Sequence, residues 1–157
     1  MVLTGLVGVL VVIAGVFFFT RQSDGTGHAT AVRTPSPTAS PLASPPPGVK
    51  CAGSACTGKD AEVMGCSGDL VTTAESTTLG TTTLEVRYSR ACGAAWGRIT
   101  GGAPGDKVRV SVGRDSRTAG ITAAGDTIAY TPMIAVKDPA EARACATLAS
   151  GRTGCTR

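Results

Sequence analysis

Thr81-Thr82-Thr83-Leu84-Glu85-Val86-Arg87-Tyr88 is the stretch that decides the fold. Leu84, Val86 and Tyr88 fall on alternate positions and Thr83, Glu85 and Arg87 fall between them. That period of two belongs to a strand with one face in a core and the other in water. The β-branched run Leu70 to Ala74 lies just upstream, and Thr78-Leu79-Gly80 puts a glycine where a tight turn needs positive φ, so the two runs are predicted to pair as a hairpin. Val108, Val110 and Val112 alternate in the same way with Lys107, Arg109 and Ser111, after the breaker at 101–106. Trp96 to Thr100, Thr118 to Ala123 and Thr127 to Val136 complete a set of about five to six strands, with Arg114-Asp115-Ser116-Arg117 and Ala124-Gly125-Asp126 as turns. One helix is predicted. Asp138 stands as its N-cap, Pro139 at its first position and Glu141 at N3, with an alanine-rich run to Leu148 and Gly151 as the stop. The expected fold is mainly β, a small disulfide-stapled barrel or sandwich with a short C-terminal helix.

All six cysteines, Cys51, Cys56, Cys66, Cys92, Cys145 and Cys155, lie in this same part of the chain. An even set confined to a short domain reads as a disulfide framework made in an oxidising compartment. The domain needs it: its only aromatic residues are Tyr88, Trp96 and Tyr130, since Phe17, Phe18 and Phe19 belong to the N-terminal apolar run. A core built from small aliphatic side chains is thin, and each cross-link typically adds ~2–4 kcal/mol. Cys145 to Cys155 is the favoured local bridge, because a helix ending near Gly151 folds the chain back on itself; the other two pairings stay open. A Cys₄ zinc site would leave two cysteines over, and no CxxC pair occurs, so disulfides are preferred to metal. The single histidine, His28, lies outside the domain, which excludes Ser-His-Asp and Cys-His catalysis and any histidine zinc site there. No cofactor is expected.

Upstream of the cysteines the chain changes character twice. Val2 to Phe19 is a run of 18 residues without a charge, and a helix of that length covers ~27 Å of a bilayer core of ~30 Å. Residues 1–20 are read as an uncleaved transmembrane anchor rather than a signal peptide, whose basic n-region and nearby cleavage site are missing. Residues 21–49 are rich in proline, serine and threonine, including Thr34-Pro35-Ser36-Pro37 and Ser44-Pro45-Pro46-Pro47, and form a disordered spacer. Residues 50–157 are the folded domain. Arg21 and Arg33 on the C-terminal flank would by themselves hold that domain in the cytoplasm. The framework and spacer argue for the outside, and the two agree if Met1 is an internal methionine of a longer chain with a basic cytoplasmic segment. The net charge of +4 comes from scattered residues rather than a basic run, so no nucleic-acid partner is expected for this chain.

The candidate functional residues are few. Asp60, Glu62 and Asp69 crowd the first cysteine loop, and two converging carboxylates are the requirement of an acid–base hydrolase. Their spacing follows no calcium loop, and 59–62 reads as one polar turn. Arg87, Arg98, Lys107, Arg109, Arg114 and Arg117 are candidates for one basic sheet face able to meet an anionic wall polymer or lipid headgroup, against a plain solvated strand face. Trp96 is a candidate platform for a ligand, against burial beside a disulfide. Seven threonines between Thr72 and Thr83 suit solvent-facing strand positions.

The run Tyr88-Ser89-Arg90-Ala91-Cys92-Gly93-Ala94-Ala95-Trp96-Gly97-Arg98-Ile99, with the stretch Cys51 to Asp60 before it and Tyr130-Thr131-Pro132-Met133 after it, resembles an uncharacterised actinobacterial, streptomycete-type domain family. The resemblance covers residues 50–157. It implies a six-cysteine domain of unknown function that often follows a transmembrane helix and in some members a helix-turn-helix domain. No activity follows from it. The expectation is therefore a membrane-anchored, monomeric, extracytoplasmic binding or sensory module without catalytic residues, its partner a cell-envelope polymer or protein and its binding surface drawn from Arg87, Trp96, Arg98 and Arg109. The alternatives are a hydrolase using Asp60 and Glu62, a truncated membrane-bound transcriptional regulator lacking its DNA-binding part, and a reduced cytoplasmic metal-binding domain.

Overall fold

The computed structural model describes residues 44–157. The proposed anchor and the spacer up to residue 43 lie outside the described residues, and among the described residues no helix is long and apolar enough to cross a membrane. Nine strands follow in chain order: β1 (Val71–Leu79), β2 (Thr82–Ser89), β3 (Ala94–Thr100), β4 (Lys107–Val112), β5 (Asp115–Gly120), β6 (Ala129–Tyr130), β7 (Ile134–Ala135), β8 (Ala142–Thr147) and β9 (Thr153–Cys155). They make two antiparallel sheets. The first has the order β1-β2-β3, with β6 and β7 sharing the far edge of β3; the second has the order β5-β4-β8-β9.

The hairpin forms as the alternation requires. Leu79 faces Thr82 across a two-residue turn in which Gly80 has φ +66°. On the inner face of the first sheet Leu84 lies opposite Ile99 and Val86 opposite Gly97. These residues meet Val108 and Val110 of β4 and Ala142, Ala144 and Ala146 of β8 in one buried core. A fully buried aliphatic side chain of this size contributes ~1.5–3 kcal/mol, so this sandwich layer is the main store of stability. Gly97 marks a close approach of the sheets: a Cβ there would stand 2.9 Å from Val108 Cγ2.

Three expectations need correction. The predicted C-terminal helix lasts one 3₁₀ turn, Pro139–Glu141, and the alanine-rich run after it is β8. The capping box is present, with Asp138 accepting from the backbone and Glu141 returning the bond. Helix propensity then loses to tertiary packing. Ala142, Ala144 and Ala146 alternate with exposed or half-buried residues, and these small side chains fit where β8 faces the first sheet. The turn predicted over 114–117 is the tighter Gly113-Arg114 pair, and Asp115 to Arg117 open β5, which pairs along its whole length with β4. Polar residues suit it because it is an exposed edge. Finally, the strand predicted over 127–136 is broken into β6 and β7 around Pro132, which has no N–H for the ladder. Thr131 spans the gap, its N–H donating to Gly97 O and its Oγ1 accepting from Gly97 N.

Candidate functional site

Three disulfides close the domain: Cys51–Cys56, Cys66–Cys92 and Cys145–Cys155. The third joins facing positions of β8 and β9, so the favoured local bridge forms through a hairpin rather than a helix end. The first lies within a small lobe, residues 49–70, on the outer face of the first sheet, and the second ties that lobe to the turn between β2 and β3. A second core fills the space beneath the lobe, made of Cys51, Cys56, Ala61, Cys66, Cys92, Ala94, Trp96 and Met133. Hydrogen bonds strap the lobe down: Gly53 N–H donates to Cys92 O, Gly58 N–H to Met133 O, Met133 N–H to Lys59 O, and Ala135 N–H to Thr57 Oγ1.

Where the lobe meets the sheet there is a cleft of about 200 Å³. Asp60, Ala61, Glu62, Ser67 and Gly68 form its lobe wall, while Arg87, Trp96, Arg98 and Tyr130 form its sheet wall. The register produces the sheet wall directly. Arg87 faces Trp96, Glu85 faces Arg98, and Arg98 faces Tyr130, all on the face opposite Leu84 and Val86. Glu85 is only 9% exposed. Its carboxylate is bonded by Arg98 Nε, approached by the Arg87 guanidinium at 3.7 Å and reached by the Thr73 hydroxyl at 3.3 Å. The hydrogen bond that Arg98 donates to Glu85 raises the Arg98 pKa above arginine's already high value, with burial opposing and Tyr130 adding a smaller push upward. A raised folded-state pKa contributes stability that is fully present below arginine's ordinary value and is lost only as pH rises through the raised one, so Arg98 is charged throughout the neutral range.

The proposed binding residues divide between two faces. Arg87, Trp96 and Arg98 come together in the cleft. Arg109 does not: it is exposed on β4 with Lys107, on the outer face of the other sheet. The single basic face is thus corrected to separate groups, because 87 and 98 belong to one sheet and 107, 109 and 117 to the other. Trp96 is 2% exposed and packed under the lobe. It is the floor of the cleft, and the accessible aromatic is Tyr130, at 41%. Asp60 and Glu62 do converge on the cleft, but Asp60 Oδ1 already accepts from the N–H groups of Glu62 and Val63 and so holds its own turn. Sequence reasoning missed Glu85 and Tyr130. Glu85 was readable as solvent-facing by alternation, yet its pairing with Arg98 depends on a strand register that the alternation alone does not set.

No curated protein and no solved structure shows significant similarity to the chain. One family model matches residues 54–145, which is 92 of the 157 residues and includes every residue lining the cleft. The chain therefore belongs to the family described as protein of unknown function (DUF2690).

Proposed function

We propose that the domain is a non-catalytic, extracytoplasmic binding or sensory module carried on a membrane anchor, and that its ligand enters the cleft between the lobe and the first sheet. The observation that carries this reading is the sheet wall of the cleft. Two guanidiniums are held in place by Glu85 beside the exposed ring of Tyr130, an arrangement that presents fixed donors and an apolar plate together. Pre-set side chains lose little freedom when they bind. The volume suits a small anionic or hydroxyl-bearing group, such as the end or a side substituent of an envelope polymer, rather than a whole drug-sized molecule, which fills ~300 Å³ or more.

Tyr130→Ala is the informative variant because the ring is half in water and its loss leaves the Glu85 pairs intact. Binding of the purified protein to isolated cell-envelope polymer is expected to weaken about tenfold, the loss from removing an aromatic contact worth about 1–1.5 kcal/mol. Unchanged binding in Tyr130→Ala, or no binding by the native protein, overturns the reading. The convergence of Asp60 and Glu62 on the same cleft favours one second reading, a carboxylate-dependent hydrolase. Release of polymer fragments by the native protein that disappears in Asp60→Asn, Glu62→Gln would establish that reading instead.

A further inference from the structure

The lobe's two disulfides are not independent of one another. The sulfur atoms of Cys51, Cys56, Cys66 and Cys92 all lie within 4.8 Å of one another, and all four residues are buried. Cys51 Sγ and Cys66 Sγ, which belong to different bridges, are 3.8 Å apart. Four thiolates around a tetrahedral zinc ion, each about 2.3 Å from the metal, stand about 3.8 Å from each other. The four residues between Cys51 and Cys56 also match the spacing of about two to four residues found between paired ligands in structural zinc sites.

Counted along the chain, a four-cysteine site leaves two of the six cysteines over. The fold removes that objection: Cys145 and Cys155 are joined to each other in the second sheet, at facing strand positions, and the remaining four form a separate cluster. We propose that the reduced lobe binds one zinc ion through Cys51, Cys56, Cys66 and Cys92, so that the same lobe is closed by two disulfides in an oxidising compartment and by a tetrathiolate metal centre in a reducing one. In the reduction, each disulfide takes two electrons and two protons from a dithiol, which itself becomes a disulfide. Zinc then displaces the four thiol protons and forms four Zn–S bonds. All four positions on the metal are filled by protein, and the surroundings are Ala61, Trp96 and Met133, so the centre is a closed structural one. Opening both bridges moves the sulfurs apart by side-chain rotation, while the straps from Gly53, Gly58 and Met133 hold the backbone in register.

The test uses the full chain in detergent, reduced by a trialkylphosphine, which does not compete for zinc, then supplied with zinc and freed of excess metal. About one zinc per chain is expected, and cobalt in its place should give the charge-transfer and tetrahedral d–d bands of a four-thiolate centre. The oxidised chain should retain none. Cys66→Ser with Cys92→Ser should abolish retention, whereas Cys145→Ser with Cys155→Ser should leave it unchanged. Trp96, the only tryptophan and a neighbour of the cluster, reports the lobe: if reduction alone alters its emission, zinc must restore it, because the binding energy is then folding energy. A reduced native chain that holds no zinc, that fails to regain its Trp96 emission with metal, or that binds equally well without Cys66 and Cys92 overturns the proposal.

Discussion

Glu85 is the acid on which the cleft's two arginines depend. It is nearly buried on a face that otherwise looks outward, and it is tolerable there only because Arg98, Arg87 and Thr73 supply charge and hydrogen bonds. Glu85→Ala removes the shared partner and leaves two guanidiniums without their common anion. The expected cost is about 2 kcal/mol, below that of a fully buried pair because both arginine side chains keep some contact with water, and urea unfolding measures it. Thr131 is the second residue whose loss is calculable. Thr131→Val keeps the shape of the side chain but removes the oxygen that accepts from Gly97 N, in a place where Pro132 prevents normal pairing. A loss of about 1–3 kcal/mol is expected in the same measurement. At this scale the sequence was informative about which residues face inward and silent about which meet. Alternation put Leu84 and Val86 in the core and Glu85 and Arg87 on the other face. The bonds of Glu85 to Arg98, and of Thr131 to Gly97, cross 13 and 34 residues of chain, distances over which periodicity says nothing.

Among elements, β8 shows how local and global signals part company. A correct helix start leads into a strand, because the alanines are needed for their size rather than their propensity: fully buried Ala144 faces the first sheet from a strand paired to β4. Ala144→Leu keeps a strong helix former at this position and yet overfills this layer. A loss of about 1–3 kcal/mol is expected in urea unfolding, whereas an exposed helix position would tolerate the change. The bridges are ordered by the chain they enclose. Cys66–Cys92 spans 26 residues, Cys145–Cys155 spans 10 and Cys51–Cys56 spans 5. Loop-closure entropy then gives about 3.5, 2.7 and 2 kcal/mol for the three. Replacing each pair with serine should lower Tm in that order, with the additional consequence for Cys66–Cys92 that the lobe loses its cross-link to the turn between β2 and β3. Strands β2 and β4 were legible from their period of two. The lobe was not, since it has no periodicity: its order comes from disulfides and from backbone bonds to residues far along the chain.

Taken whole, the chain combines an apolar run, a proline-rich stretch and a domain whose thin core is divided into two layers, one between the sheets and one under the lobe. The second layer has few large side chains, and its closure by cross-links makes the compartment matter to the fold. The proposed topology therefore carries its own prediction. In intact cells, a membrane-impermeant maleimide should leave the protein unlabelled until an external reductant is added, and then label it without lysis. The first thiols to react should be those of Cys145 and Cys155, because Cys155 is exposed at the edge of the second sheet. Cys56, Cys66 and Cys92 should follow only as the lobe opens, because none of them is accessible in the closed fold. Labelling that requires lysis and needs no reductant places the domain in the cytoplasm as a thiol protein and overturns the extracytoplasmic reading. In that case the zinc form of the lobe, which rests on the sulfur cluster and not on the compartment, becomes the form in which the cleft is built.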